Sequence, residues 1–193
     1  MTTNVEVTIP EPDLSVILRA AHFAAHKHRH QKRKGVSAAP FINHPLDVAT
    51  VLATVGGVTD PAVLAAALLH DTVEDTDTSF DEIEREFGND VRSLVEEMTD
   101  DRTVDSQTRK LLQVEHAPHL STRARMIKLA DKLCNVRDVS FDSPPHWSRQ
   151  RCRDYVEWTK RVVDLCRGTN EALERLYDEN YRAGVAELGD DKE

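Results

Sequence analysis

Four ionisable residues at the end of an apolar run are the first chemistry this chain offers. Ala65-Ala66-Ala67-Leu68-Leu69 runs straight into His70-Asp71, and Glu74-Asp75 follow on the next turn. In helical register His70 and Glu74 stand one turn apart, as do Asp71 and Asp75. A buried helix end carrying these groups must satisfy them, because an unpaired buried charge costs several kcal/mol. One divalent ion would do so, since imidazole and carboxylate together suit Mn, Fe or Zn. A helix end that emerges into solvent with its acids hydrated would do so as well. Consecutive residues lie about 100° apart around a helix. His70 and Asp71 can therefore face one ion only at a helix end or bend.

A second polar set stands on an apolar background in Met126–Asp138. Lys128, Asp131 and Asn135 share one face, while Ile127, Leu129, Ala130 and Leu133 surround them. The Asp131 carboxylate needs a partner there. It has two choices: an ion shared with His70-Asp71, or Lys128 on a solvated face. His44, in Ile42-Asn43-His44-Pro45, sits at a helix mouth beside a basic loop, as a further ligand or as an ordinary polar residue at a bend. The third feature is a reversal of sign. Five of the eight residues from Lys27 to Lys34 are Lys or Arg, in a chain of net charge −9. Cations at a helix end complement its dipole, but that accounts for only some of them. Phosphates of a small polyanion are the sharper match, being what Arg forks and Lys points hold well.

Helices must position these groups. Apolar spacing predicts a first helix from about Asp13 toward Arg33. Pro45 is expected as the first residue of the next, which Gly56-Gly57 end. Asp60-Pro61 cap and start the Ala/Leu helix. Ser79 caps a short helix that Gly88 stops, and Asn89–Thr99 continues beyond it. Gln107–Ala117 and a longer helix capped by Ser121 follow. His146–Arg167 is expected as an amphipathic helix bearing Arg151, Tyr155 and Trp158, and 170–188 as the last. The pattern predicts an all-α fold, one compact helical bundle of about eight to ten helices over 1–193, with its core at about 14–170.

Composition agrees. The 193 residues suffice for one domain with a real core, Gly and Pro number only 7 and 8, and charged residues are 31%. The acidic balance argues against nucleic acid as a partner. No apolar run is long enough to span a membrane, and Met1–Pro12 lacks a signal-peptide core, which points to the cytoplasm. Cys134, Cys152 and Cys166 form no C-x-x-C pair and read as reduced thiols.

Three words of sequence carry a resemblance. Phe41-Ile42-Asn43-His44-Pro45, Leu68-Leu69-His70-Asp71-Thr72-Val73-Glu74-Asp75-Thr76 and Ile127-Lys128-Leu129-Ala130-Asp131-Lys132-Leu133-Cys134-Asn135-Val136-Arg137 occur in order. Together they resemble the H…HD…D pattern of HD-domain phosphohydrolases, and more closely the hydrolase domain of the RelA/SpoT homologue family in its stand-alone small alarmone hydrolase branch. The resemblance spans roughly residues 14–170. It implies hydrolysis of ppGpp and pppGpp at the ribose 3′ position, giving pyrophosphate and GDP or GTP, with one Mn²⁺ (Fe, Co or Zn being alternative occupants). By the same resemblance His44, His70, Asp71 and Asp131 are metal ligands, and Glu74 and Asp75 orient or deprotonate the attacking water. Arg33 and Lys34 contact the nucleotide or its phosphates, and Asn135, Arg151 and Tyr155 line its pocket. Lys128, on the Asp131 face, joins the substrate-binding set. Phe41 stands where relatives often have Tyr, and Ser106 where close relatives can have a phosphate-facing Lys. The chain is too short for the family's synthetase domain, so a hydrolase alone is expected. Two alternatives stay open: an HD nucleotidase for another phosphate, such as the 2′-phosphate of NADPH, and a catalytically silent nucleotide-binding module. The intact Glu74-Asp75 pair argues against the latter.

Overall fold

A computed structural model describes residues 13–189; the Met1–Pro12 segment lies outside the described residues. Within them the chain forms nine α-helices and no strand, only an isolated bridge between Lys32 and Pro40. Side-chain caps open most of the helices. Asp13 caps α1 (Leu14–Lys27), and Asp60 accepts from the Ala62 and Val63 amides to cap α3 (Pro61–Leu69). Ser79, Asp105, Ser121, Ser148 and Asn170 do the same for α5 (Phe80–Met98), α6 (Ser106–His116), α7 (Thr122–Phe141), α8 (Arg149–Asp164) and α9 (Glu171–Leu188). Two helices lack such a cap, α2 (Asn43–Thr54) and the single turn α4 (Thr72–Asp75). Gly88, at φ 84°, breaks α5 where the sequence placed a stop. Only a residue without a Cβ adopts that angle freely.

The interior is organised around α3 and α7. Every residue of α3 from Val63 to Leu69 is buried, so no polar face remains and the helix is enclosed by α1, α2, α5 and α7. Burying a Leu of this kind contributes about 1.5–3 kcal/mol, an upper estimate. In turn α7 packs on α2, α8 and α9. At Gly184 of α9 a Cβ would stand 2.3 Å from Ser140 Oγ and 3.2 Å from Ser140 Cβ, so a larger residue there would require the Ser140 side chain to move. Both candidate metal words thus end on, or lie within, the most enclosed helices.

Three expected boundaries move. The first helix stops at Lys27, not near Arg33: its last buried residue is Ala24, and His28 closes it as the C-cap, its amide donating to Ala24 O and His26 O. The chain then folds back on itself, with Arg33 N donating to Ala39 O at 2.8 Å and Phe41 N to Gln31 O at 3.0 Å. The second helix starts at Asn43, two residues before Pro45. The eighth starts at Arg149 rather than His146, since Ser148 supplies the cap. No described helix is long and apolar enough to cross a membrane. Cys134, Cys152 and Cys166 are free and buried.

Candidate functional site

A cavity of about 630 Å³ opens where α2, the His70-Asp71 junction after α3, α4, α7 and α8 meet the 28–41 loop and the 99–105 connector, with Met98 of α5 and Gln113 of α6 completing its lining. Its metal end forms where α3 breaks. Helix α3 stops at Leu69 because side chains take over its last carbonyls: His70 Nδ1 lies 2.7 Å from Ala67 O, and Thr72 Oγ1 donates to Leu69 O at 2.6 Å. The break lets His70 and Asp71 face one point, as their adjacency requires. His44, in the first turn of α2, and Asp131, in mid-α7, face it from the other side.

The distances are short. His44 Nε2 is 3.1 Å from Asp131 Oδ1 and 3.9 Å from Asp71 Oδ2, while His70 Nε2 is 3.2 Å from Asp71 Oδ2 and 3.8 Å from Asp131 Oδ1. Ligand atoms of His44, His70 and Asp131 all fall within 4.8 Å of one another. Donors bound at ~2.0–2.2 Å to one ion stand roughly 3–4.3 Å apart, so these separations suit one. The histidines fit as well. With Nδ1–H given to Ala67 O, His70 turns a lone pair at Nε2 toward the carboxylates, and that buried atom has no hydrogen-bond partner. A His₂-carboxylate set of this kind takes Mn, Fe, Co or Zn.

Charges at this end are strongly coupled. Burial works against ionised Asp131, but Lys132, with Nζ 3.0 Å from its Oδ2, and the two histidines outweigh burial and hold its carboxyl well below the usual range. Burial likewise opposes a charged His70, yet the Asp71 and Asp131 carboxylates push its pKa up. For His44 burial wins, and its pKa falls.

Glu74 and Asp75 project from α4 into the same cavity. Glu74 Oε2 accepts from the Asp100 amide at 3.3 Å, and Arg102 Nη2 contacts Asp75 Oδ1 at 2.6 Å. Burial first, then the neighbouring carboxylates of Asp100 and Asp71, raise the pKa of Glu74; burial and Asp71 raise that of Asp75.

Of the expected substrate contacts, Arg33, Lys34, Lys128, Asn135 and Tyr155 line the cavity. Arg151 is not among the lining residues. It is exposed, its guanidinium 4.4 Å over the ring of Trp147, which does line it. The basic stretch divides. Lys27 is engaged by Asp77 and Glu82 at 3.2 and 3.1 Å, and Arg33 by Asp138 at 2.8 Å and Asn135 at 2.9 Å, while Lys32 and Lys34 are exposed at the cavity wall. Nor does Lys128 pair with Asp131. It is buried, reaches Met98 O at 3.4 Å, and yields that role to Lys132. Ser106 merely opens α6, outside the lining.

Sequence reasoning passed over Lys132, Arg102, Gln31 and Trp147. Lys132 adjoins Asp131 in the chain, but no helical periodicity puts neighbours on one face. Trp147 and Trp158 flank Tyr155, with ring centroids 5.5 and 5.2 Å apart, and Lys132 Nζ lies 4.7 Å over Trp158. In a chain with 5% aromatics, the Tyr155/Trp158 pair at i,i+3 was the available signal.

An enclosed helical bundle with histidines and carboxylates meeting at a helix break is the architecture of an HD domain, and the HD-domain family model matches residues 20–155. The chain belongs to that family, in its small alarmone hydrolase branch. It is 55% identical over 169 residues to guanosine-3′,5′-bis(diphosphate) 3′-pyrophosphohydrolase MESH1 of Xenopus tropicalis, covering 88% of this chain and 94% of that protein. It is 55% identical over 158 residues to the Homo sapiens MESH1, covering 82% and 88%. A solved structure described as a metazoan ortholog of SpoT that hydrolyses ppGpp superposes with a TM-score of 0.85 at 47% identity, over 88% of this chain and 95% of that one.

Proposed function

We propose that this chain is a metal-dependent hydrolase of ppGpp and pppGpp, cleaving the ribose 3′-diphosphate to leave GDP or GTP and pyrophosphate. Two things support it: the shared activity of relatives this similar, and the meeting of a His₂-carboxylate set with two further acids in one cavity. In this reading His44, His70, Asp71 and Asp131 hold one divalent ion, which we take to be Mn²⁺. Bound there, it supplies Lewis acidity toward a phosphoryl oxygen and a more acidic water.

The protein's own groups do the rest. Water adds to the phosphorus on the 3′ oxygen and the P–O3′ bond breaks. The 3′ oxygen departs as the ribose hydroxyl of GDP or GTP, receiving a proton in exchange for the one the water loses, and the hydrated diphosphate is released as pyrophosphate. Glu74 takes the proton from the water; its raised pKa suits a base that must accept one near neutrality. Asp75, held by Arg102, orients the water beside it. Lys34, Arg33 and Lys128 neutralise phosphate charge, the larger part of what phosphoryl transfer asks of a protein. Asn135 and Tyr155 bound the nucleotide, and Arg151 reaches it only from the rim over Trp147. We take residues 1–193 to act as one hydrolase unit, in the cytoplasm, where buried thiols stay reduced.

Incubating Mn²⁺-reconstituted protein with ppGpp, pppGpp and NADPH and resolving the products tests this. GDP and pyrophosphate from ppGpp are expected. NADH and orthophosphate from NADPH, with ppGpp and pppGpp left intact, would favour the nucleotidase alternative, and binding without turnover the silent module.

A further inference from the structure

We propose that Gln31, backed by His28, is a positioning residue that holds the acid-bearing turn α4 in register with the metal end of the cavity. The proposal rests on Glu74 and Asp75 being the acids that handle the water.

A four-residue turn cannot hold itself, because one turn fixes several dihedrals for few hydrogen bonds. Two of the four side chains of α4, Glu74 and Asp75, project into the cavity, so they bring the turn no core packing. Its end carbonyl also needs a donor. Gln31 provides one, with Nε2 donating to Asp75 O at 2.6 Å. A carbonyl only accepts, so the amide must present its NH₂ there and its Oε1 to the other side. On that side His28 Nδ1 stands 2.7 Å from Oε1, and Nδ1 must therefore carry the proton.

The consequence is visible in the His28 ring. Its lone pair is left at Nε2, an atom that is buried and has no hydrogen-bond partner. Such atoms are rare and unfavourable. The brace continues past Gln31. His28, 2% exposed, stacks on Phe41 with centroids 4.5 Å apart, and Phe41 N donates back to Gln31 O. The Phe41 ring then meets His44 edge-on at 6.4 Å. Gln31 thus ties α4 to the loop that packs against a metal-end histidine. Displacements near 1 Å of a reacting group can reduce rate about 10²-fold, so a lost brace should appear in turnover.

The test uses the full chain, Mn²⁺-loaded, with ppGpp. Gln31→Leu should lower kcat about 10–100-fold while KM and metal content stay close to wild type. Amide exchange at Asp75 and Thr76, whose N–H groups close α4 onto Asp71 O and Thr72 O, should quicken. Gln31→Glu, isosteric but without the donor, should do the same if the Leu variant folds poorly. His28→Leu should give a milder loss that His28→Asn, with an NH₂ close to the Nδ1 position, largely restores. A lower Tm with unchanged kcat and unchanged exchange would make Gln31 merely structural and overturn the proposal. Faster exchange with unchanged kcat would instead overturn the role given to the acids, and the positioning role with it.

Discussion

The two ends of the cavity are built differently. At the metal end, His44, His70 and Asp131 come from helices whose other faces are core, and each is at most 5% exposed. Their geometry is set by packing before any ion arrives. The opposite wall comes from the 28–41 loop and the 99–105 connector, and two of its four lining cations are engaged by the protein's own acids, Arg33 by Asp138 and Arg102 by Asp75, while Lys32 and Lys34 stay exposed. The first is a pre-organised candidate ligand set. The second includes ion pairs that a polyanion has to compete for, which makes charge count a poor guide to phosphate affinity.

Breaking the metal end should give the largest effect. Asp131→Ala should abolish measurable ion binding and turnover. It should also destabilise the chelator-treated protein by about 3–5 kcal/mol, because Lys132 keeps its buried charge without a carboxylate. Ion content by mass spectrometry and apo-protein melting check both, and an apo protein of unchanged stability would show that Lys132 has another partner.

Next in size is Glu74→Gln, which should retain the ion and lower kcat by ~10²-fold or more. Loss of the ion, with rescue by excess Mn²⁺, would move Glu74 into the ligand set. The same variant has a second signature. The folded pKa of Glu74 lies above its unfolded value, so the native state binds the proton more tightly and stability falls as pH rises through that interval. Glu74→Gln should therefore melt higher than wild type at about pH 7, with the gain fading at about pH 4. A gain that persists in acid would assign it to packing instead.

The loop wall should respond less. Arg33→Ala with Lys34→Ala removes two charges, at ~1.5–3 kcal/mol per charge-assisted contact, and should reduce kcat/KM for ppGpp by ~10²-fold if both reach phosphate. Asp138→Asn sharpens the comparison. By releasing Arg33 it should lower KM a few-fold, whereas a higher KM would mean that the pinned geometry is the one substrate needs. The smallest effect on the fold is expected from Arg102→Ala. That side chain is 55% exposed, and its pair with Asp75 should contribute no more than ~1 kcal/mol to stability; a larger change in denaturant melting would give it a structural role.

How legible each region was follows the same division. Caps at Asp60, Ser79 and Ser121 were readable because capping is local chemistry, and the stop at Gly88 because glycine alone tolerates its φ. That His70, Asp71 and Asp131 need partners was readable, because polar residues stand there on apolar helices, whereas His44 joined them through the resemblance. The break at His70–Asp71 could be required from adjacency, but not how Thr72 and the His70 ring close α3. The loop wall was readable only in part: Arg33 and Lys34 line the cavity as expected, but the pairing of the charges was not legible. That Lys27 spends its charge on Asp77 and Glu82, or that Lys132 rather than Lys128 meets Asp131, depends on long-range packing and on a neighbour that periodicity assigns to a different face. Arg151 is on α8 as expected, but it stands over the Trp147 ring and is not among the residues lining the cavity.

The central claim is that the metal end performs water attack on the 3′ phosphorus. Its most direct test is turnover of ppGpp in ¹⁸O-labelled water, with the products resolved by mass spectrometry. The predicted result is one ¹⁸O in pyrophosphate and none in GDP, with turnover lost on chelation and regained with Mn²⁺. Label in the ribose hydroxyl of GDP, release of orthophosphate in place of pyrophosphate, or a rate indifferent to chelation would contradict it.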